Sequence, residues 1–350
     1  MLETLRAKLE AEGLDALLVS KPANVRYLSH FTSPEDGRVL IMRERAVLLT
    51  DGRYTAQAAE ESRLPVEIAY GRQALYDYLK ETLDGQTLGI EADHVTLDEF
   101  EAFARELGRA PVATKGWVGE LRVVKRPDEL EKLREAARIT DEAFTHILGF
   151  LRPGLKEIEV ALELERFMLE RGAEAKSFTI IVASGTRSSM PHGVASHKVI
   201  EQGELVTLDF GAVIGGYHAD MTRTVAVGKA SDEHKRLYYA VLEAQKTALS
   251  ALGPGKDGRD IDLLAREMLD GYGLKEYFAH SLGHGVGLEV HEEPRLTYLG
   301  SYQLASGMTA TVEPGVYLPG ELGVRIEDLA VITDEGYELL SKSDKALLEL

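Results

Sequence analysis

The 350-residue chain has no cysteine, which excludes both a disulfide framework and a thiolate metal site. Asparagine is nearly absent too, with Asn24 the single example; such scarcity suits a heat-adapted source, and GC-rich coding would give the same bias. No apolar run is long enough to cross a bilayer, and the amino-terminal MLETLRAKLEAEGLDALLVS alternates acids and bases without the apolar centre of a signal peptide. We therefore expect a cytoplasmic protein with no membrane partner. Positive charge is the minority sign, and a formal net charge of −18 argues against nucleic acid or another polyanion as a partner. Low-complexity tracts and short-period repeats are also missing. What is present, 44% hydrophobic and 28% charged residues, is the composition of a globular chain long enough for two substantial cores.

Periodicity predicts a small α/β domain over residues 1–120 followed by a larger α+β domain over 121–350. In the first, Leu14 to Ser20, Gly37 to Met42, Ala46 to Thr50 and Thr87 to Ile90 read as strands. Arg53 to Glu61, Gln73 to Leu83 and Leu97 to Leu107 read as helices between and after them. The boundary falls near Gly119 to Arg126, where Pro127 opens a helix running toward Phe150 and stopping before Pro153-Gly154. Further helices near Ile158 to Arg171, Glu233 to Leu252 and Ile261 to Tyr272 are expected to cover a catalytic sheet on one side.

Chemistry concentrates in the last 140 or so positions, where Asp209, Asp220, His284, Glu313 and Glu327 each occupy a short Gly- or Thr-flanked segment. Four carboxylates and one imidazole form the ligand set of a dinuclear metal site. Leu205 to Val213 and Tyr217 to Val227 read as strands joined by Gly215-Gly216, a dipeptide suited to the positive φ of a tight hairpin turn. With a two-residue loop Gly211 lies opposite Asp220, and Asp209 becomes its diagonal neighbour at roughly 7–8 Å. Alternation puts Thr207, Asp209, His218, Asp220 and Thr222 on one polar face, and Val206, Leu208, Phe210, Ala219 and Met221 on the other. Such a face could equally be the solvated side of an ordinary hairpin.

The other three candidates stand in the run SLGHGVG from Ser281 to Gly287, where glycines allow a close backbone approach beside His284, in TVEPG around Glu313, and in VRIEDLAVI from Val324 to Ile332, which contains Glu327. Gly283-x-Gly285-x-Gly287 lacks the strand-to-helix context of a phosphate loop.

Taken in order, LDFGAVIGGYHADMTRT, HSLGHGVGLEVHEEP, TVEPGVY and GVRIEDLAVIT resemble the creatinase/aminopeptidase P branch of the "pita-bread" metallopeptidases, most closely its Xaa-Pro dipeptidases (prolidases). Upstream, SFTIIVASGTRSSMPH and PGLKEIEVALELERFM are similar to the same family, and NVRYLSHF and LLTDGRYTAQA to the smaller domain that precedes the catalytic one. His30 departs from the pattern, which usually has glycine there. The resemblance implies a creatinase-like first domain, a pita-bread catalytic domain and an internal pseudo-twofold repeat. It also implies two divalent metal ions per subunit, Mn, Co or Zn, with Asp209 chelating one, His284 and Glu313 the other, and Asp220 and Glu327 bridging. Such a pair would activate a shared water to a bridging hydroxide, with Glu313 as general base and acid.

By the same resemblance His192 and His291 polarise the scissile carbonyl or hold substrate. An Xaa-Pro bond is a tertiary amide without an N–H to recognise, so selectivity requires a shaped wall and a clamp on the free carboxylate. Phe178 is the candidate wall and Arg295 the candidate clamp. Asp36, on the turn-rich TSPEDG segment with Glu35, is expected to reach an active site across a homodimer interface and pair with the dipeptide ammonium. His197, Tyr217, His218 and His280 are candidates for orienting these groups. The expected activity is hydrolysis of Xaa-Pro dipeptides. The alternatives are an aminopeptidase P acting on longer peptides and a non-catalytic binding protein on the same fold; a metal-free amidinohydrolase is disfavoured because all five ligands are present.

Overall fold

A computed structural model describes residues 1–69 and 71–350 and divides them into two compact units, Met1–Arg122 and Val123–Leu350.

The first unit is built on a six-stranded mixed sheet, in the order Val66–Ile68, Ala46–Thr50, Gly37–Met42, Ala16–Val19, Leu88–Glu91 and Val112–Thr114. The three central strands run antiparallel to one another and the outer pairs are parallel. Ala16, Leu18, Leu40 and Leu49 pack against Tyr76, Leu79 and Phe103 of the helices Gly71–Leu83 and Leu97–Leu107. Leu17, Ile41 and Leu48, which alternate with them, are equally buried on the opposite face. Burial on both faces explains why these strands read as unbroken apolar runs. The Leu97–Leu107 helix starts where Thr96 and Glu99 exchange side-chain-to-backbone hydrogen bonds and stops at Gly108. His30 closes the Pro22–Ser29 helix with φ 68°. That left-handed conformation gives the physical reason a glycine suits the position.

In the second unit two helix pairs each back a set of strands. Pro127–Phe150 opens with Pro127 in its first turn and with Glu129 accepting from the Arg126 N–H at 2.7 Å. Its buried residues Leu133, Ala136, Ala137, Ala143, Phe144 and Ile147 follow helical spacing. This helix and Glu157–Glu170 share a core with Val206, Leu208, Phe210, Met221 and Val225 of the strands Leu205–Phe210 and Met221–Ala226. The second pair, Asp232–Ser250 and Gly258–Gly271, packs likewise on Ala310, Val312, Val324, Ala330 and Ile332. The two sets of strands meet through Thr224, whose Oγ1 donates to Arg325 O at 2.9 Å, and through Glu327 N, which donates to Thr222 O at 3.1 Å.

The sheet face that carries Asp209 and Asp220 is therefore buried as well, not solvated: Thr207, Thr222 and Thr224 are each at most 4% exposed. Each helix pair lies on the apolar side of its own strands, leaving the polar sides to form the interior site. Among the described residues no helix is long and apolar enough to cross a membrane.

Candidate metal centre

The expected hairpin register is present, with Val213 opposite His218, Phe210 opposite Met221 and Asp209 opposite Thr222. The long strands are not continuous, however. Pairing breaks between Phe210 and Ala212, where a Cβ on Gly211 would come within 1.9 Å of Ala219 O. Only glycine admits that approach, and the break leaves Asp209 and Asp220 on the wall of one cavity of about 500 Å³. The 324–332 run is likewise interrupted: Leu322–Arg325 ends, Glu327 N turns to Thr222 O, and Asp328–Thr333 begins. This change of partner brings Glu327 to the same wall.

His284 is held between Gly283, whose Cβ position lies 1.9 Å from Thr311 O, and Gly285, whose Cβ position lies 2.1 Å from Glu293 O. Its backbone N–H donates to Thr311 Oγ1 at 3.0 Å, and its Nδ1 lies 3.1 Å from Gly285 O and donates to it. Nε2 then faces Glu313 Oε1 at 3.3 Å and Asp220 Oδ2 at 3.7 Å. Asp220, His284 and Glu327 each offer one ligand atom, all within 4.8 Å of one another. Glu327 also accepts from Thr222 Oγ1 at 2.7 Å, and Glu313 from Thr311 Oγ1 at 3.2 Å.

Asp209 differs from the other four. Its Oδ2 accepts from Arg325 Nη2 at 2.5 Å, while its Oδ1 is buried without a hydrogen-bond partner among the described residues. Arg325, itself buried, also donates to Thr222 Oγ1 at 3.0 Å, to Pro191 O at 3.0 Å and to the Tyr317 hydroxyl at 2.8 Å. That hydroxyl in turn lies 2.9 Å from His280 Nε2. Neither Arg325 nor Tyr317 stands out in the sequence, although Arg325 lies two positions from Glu327, the strand spacing of a shared face.

The electrostatics describe a site short of positive charge. Burial, then the neighbouring carboxylates, raises Asp220 and Glu327 well above the ordinary carboxylate range. Burial also raises Asp209, against the pull of Arg325. For Glu313 burial is outweighed by the hydrogen bond and charge of His284, which bring it down to about 2. Desolvation, aided by His284 and Arg295, lowers His291 to about 4, and burial pushes Tyr317 up to about 12. Four carboxylates, an imidazole nitrogen turned toward two of them and an orphaned Asp209 oxygen suit hard-to-borderline divalent cations.

Phe178, His192, His291 and Arg295 line the same cavity, as does His280. The rings of His284 and His291 are 4.3 Å apart. Of the other orienting candidates, His197, Tyr217 and His218 do not line it, and Tyr217 gives its hydroxyl to Glu129. Asp36 belongs to the first unit, where Arg53 and the Tyr54 hydroxyl engage its carboxylate at 3.0 and 2.7 Å.

Residues 131–334 match the model of metallopeptidase family M24, and residues 1–124 match the creatinase/prolidase N-terminal domain. An Xaa-Pro dipeptidase of Pyrococcus furiosus is 38% identical, over 99% of both chains. Among solved structures, an Xaa-Pro dipeptidase from Bacillus anthracis has 45% identity and a TM-score of 0.95, over 100% of this chain and 99% of that one. An X-Pro aminopeptidase from Thermotoga maritima has 38% identity and a TM-score of 0.92 with the same coverage.

Proposed function

The chain belongs to metallopeptidase family M24, and from that premise we propose that it hydrolyses the Xaa-Pro bond of dipeptides and releases proline, using two divalent ions, Mn, Co or Zn, held by Asp209, Asp220, His284, Glu313 and Glu327. The observation that carries this reading is the convergence of these five side chains on one cavity whose raised carboxylates call for added positive charge. When bound, the ions supply Lewis acidity toward the scissile carbonyl and acidify the attacking water.

The chain's own groups do the rest. Glu313, held ionised beside His284, is in the form that accepts a proton from water and can pass it to the departing proline nitrogen. A lowered His291 is a neutral imidazole at pH 7 and can donate one hydrogen bond to the carbonyl or to substrate. His192, on the same cavity wall, is a second hydrogen-bonding group for the carbonyl or substrate. Phe178 offers a flat apolar wall for the proline ring, and Arg295 a fork for the terminal carboxylate. Asp36, from the first unit of a partner chain in a homodimer, would pair with the substrate ammonium and limit its length. The enzyme would act in the cytoplasm on small peptides.

A second reading, removal of the first residue from longer Xaa-Pro peptides, draws support from the likeness to the Thermotoga maritima X-Pro aminopeptidase. Proline release from Ala-Pro, Ala-Pro cleavage within Ala-Pro-Ala, and Ala-Ala hydrolysis separate the two. Cleavage confined to Ala-Pro supports the dipeptidase, preference for Ala-Pro-Ala supports the aminopeptidase, and inactivity of folded protein with every metal rejects both.

A further inference from the structure

Glu157 is the first residue of the Glu157–Glu170 helix, is fully buried, and lines no part of the cavity. An acid in a helix's first turn ordinarily serves the helix dipole from an exposed position. This one instead accepts hydrogen bonds from residues far along the chain. Its Oε1 takes the Ser184 N–H at 2.8 Å and the Ser184 hydroxyl at 2.9 Å. Its Oε2 takes the Ser196 hydroxyl at 2.6 Å, the Ser196 N–H at 3.1 Å and a guanidinium hydrogen of Arg187.

Ser184 ends the Ile181–Ser184 strand, and Ser196 is where the chain returns from the loop that follows. Between them stand Pro191, His192 and Val194, all on the cavity wall. The far part of this loop is tied by Gly323 N donating to Ser188 Oγ at 2.9 Å and by Arg325 donating to Pro191 O. Its base is joined by the carboxylate of Glu157, beside a backbone bridge between Ile181 and Val194 and the Arg187 guanidinium donating to Val194 O at 2.9 Å. Every group facing that carboxylate is a donor, so both oxygens must accept; an amide of the same shape would turn an NH2 against one of the two serines.

We infer that Glu157 is a positioning residue for peptide hydrolysis: by joining Ser184 to Ser196 it fixes the loop that presents His192 to the substrate. The inference rests on the role proposed above for His192, and a double-mutant cycle separates the two. Full-length, Mn-loaded protein carrying Glu157→Gln, His192→Ala or both is assayed on Ala-Pro, with thermal melts of each. Displacing a catalytic donor by about 1 Å costs up to about 100-fold, so Glu157→Gln is expected to lower kcat by about 10- to 100-fold with little change in KM. In the His192→Ala background the same substitution is expected to lower kcat by less than about 2-fold, the limit within which independent sites are additive, while depressing the melting temperature equally in both backgrounds.

An undiminished loss of kcat in the His192→Ala background, or no loss in the native one, overturns the inference while leaving the role of His192 standing. Native activity in His192→Ala alone overturns both. Should Glu157→Gln not fold, Ser196→Ala takes its place in the same cycle, since it removes the hydroxyl that donates to Glu157 and accepts from Lys198 N but keeps the Ser196 N–H contact to Glu157, and the same two patterns decide.

Discussion

Arg325→Ala is expected to destabilise the metal-free protein far more than the metal-loaded one. Arg325 is 4% exposed, and its guanidinium donates to Asp209, Tyr317, Thr222 and Pro191. Truncation leaves the Asp209 carboxylate buried opposite Glu313 and Glu327 with no countercharge. Removing one partner of a buried ion pair costs about 3–5 kcal/mol. At about 2–4 °C per kcal/mol for a unit of this size, the metal-free melting temperature should fall by roughly 6–20 °C. With divalent ions at Asp209 the countercharge returns, and the penalty should shrink to the roughly 1–3 kcal/mol of unsatisfied buried acceptors. Urea unfolding of wild type and variant, each with chelator and with saturating Mn, measures both differences. Equal penalties in the two conditions would refute the reasoning, because they would mean that no cation answers the charge on Asp209.

Asp220→Asn or Glu327→Gln should stabilise the metal-free chain at pH 7 and abolish its stabilisation by metal. Both carboxyls are raised in the folded state, so the fold holds protons that the unfolded chain releases above its ordinary range; metal-free wild type loses this contribution as pH rises, and the advantage of either variant should grow with pH in parallel melts. His291→Ala should lower kcat on Ala-Pro by about 10²–10³, the usual cost of one donor to a developing oxyanion. Because His291 titrates near 4 rather than near 6.5, wild-type kcat/KM should show no acid limb at pH 6–7 arising from this group, which the difference between the two pH profiles checks. Gly283→Ala forces a Cβ onto Thr311 O and should displace His284; calorimetric titration is expected to show loss of Mn binding, and native binding would count against the close approach.

The helices Pro127–Phe150 and Leu97–Leu107 are legible in the sequence because their signals are local, an apolar helical period and, for the first, a proline in the opening turn; the capping box of Thr96 with Glu99 and the stop at Gly108 are seen in the structure. The hairpin register followed from Gly215-Gly216 and strict alternation. Burial of the polar face was not legible, since Thr and Asp alternating with apolar residues describe a solvated strand equally well. The layer that covers it arrives from residues 325–327, about a hundred positions later. Arg325 escaped for the same reason. An arginine in a strand reads as solvent-facing until its partner Asp209 is seen, and that partner lies 116 residues upstream. The interruptions at Gly211 and Glu327 are tertiary events as well, one a close backbone approach and the other an exchange of strand partner.

Anomalous diffraction at the Mn edge from crystals of Mn-loaded protein tests the two-ion claim most directly. Two peaks in the cavity, together contacted by Asp209, Asp220, His284, Glu313 and Glu327, are the predicted result. A single peak held by Asp220, His284 and Glu327 alone, or none with Asp209 still paired to Arg325, would contradict it.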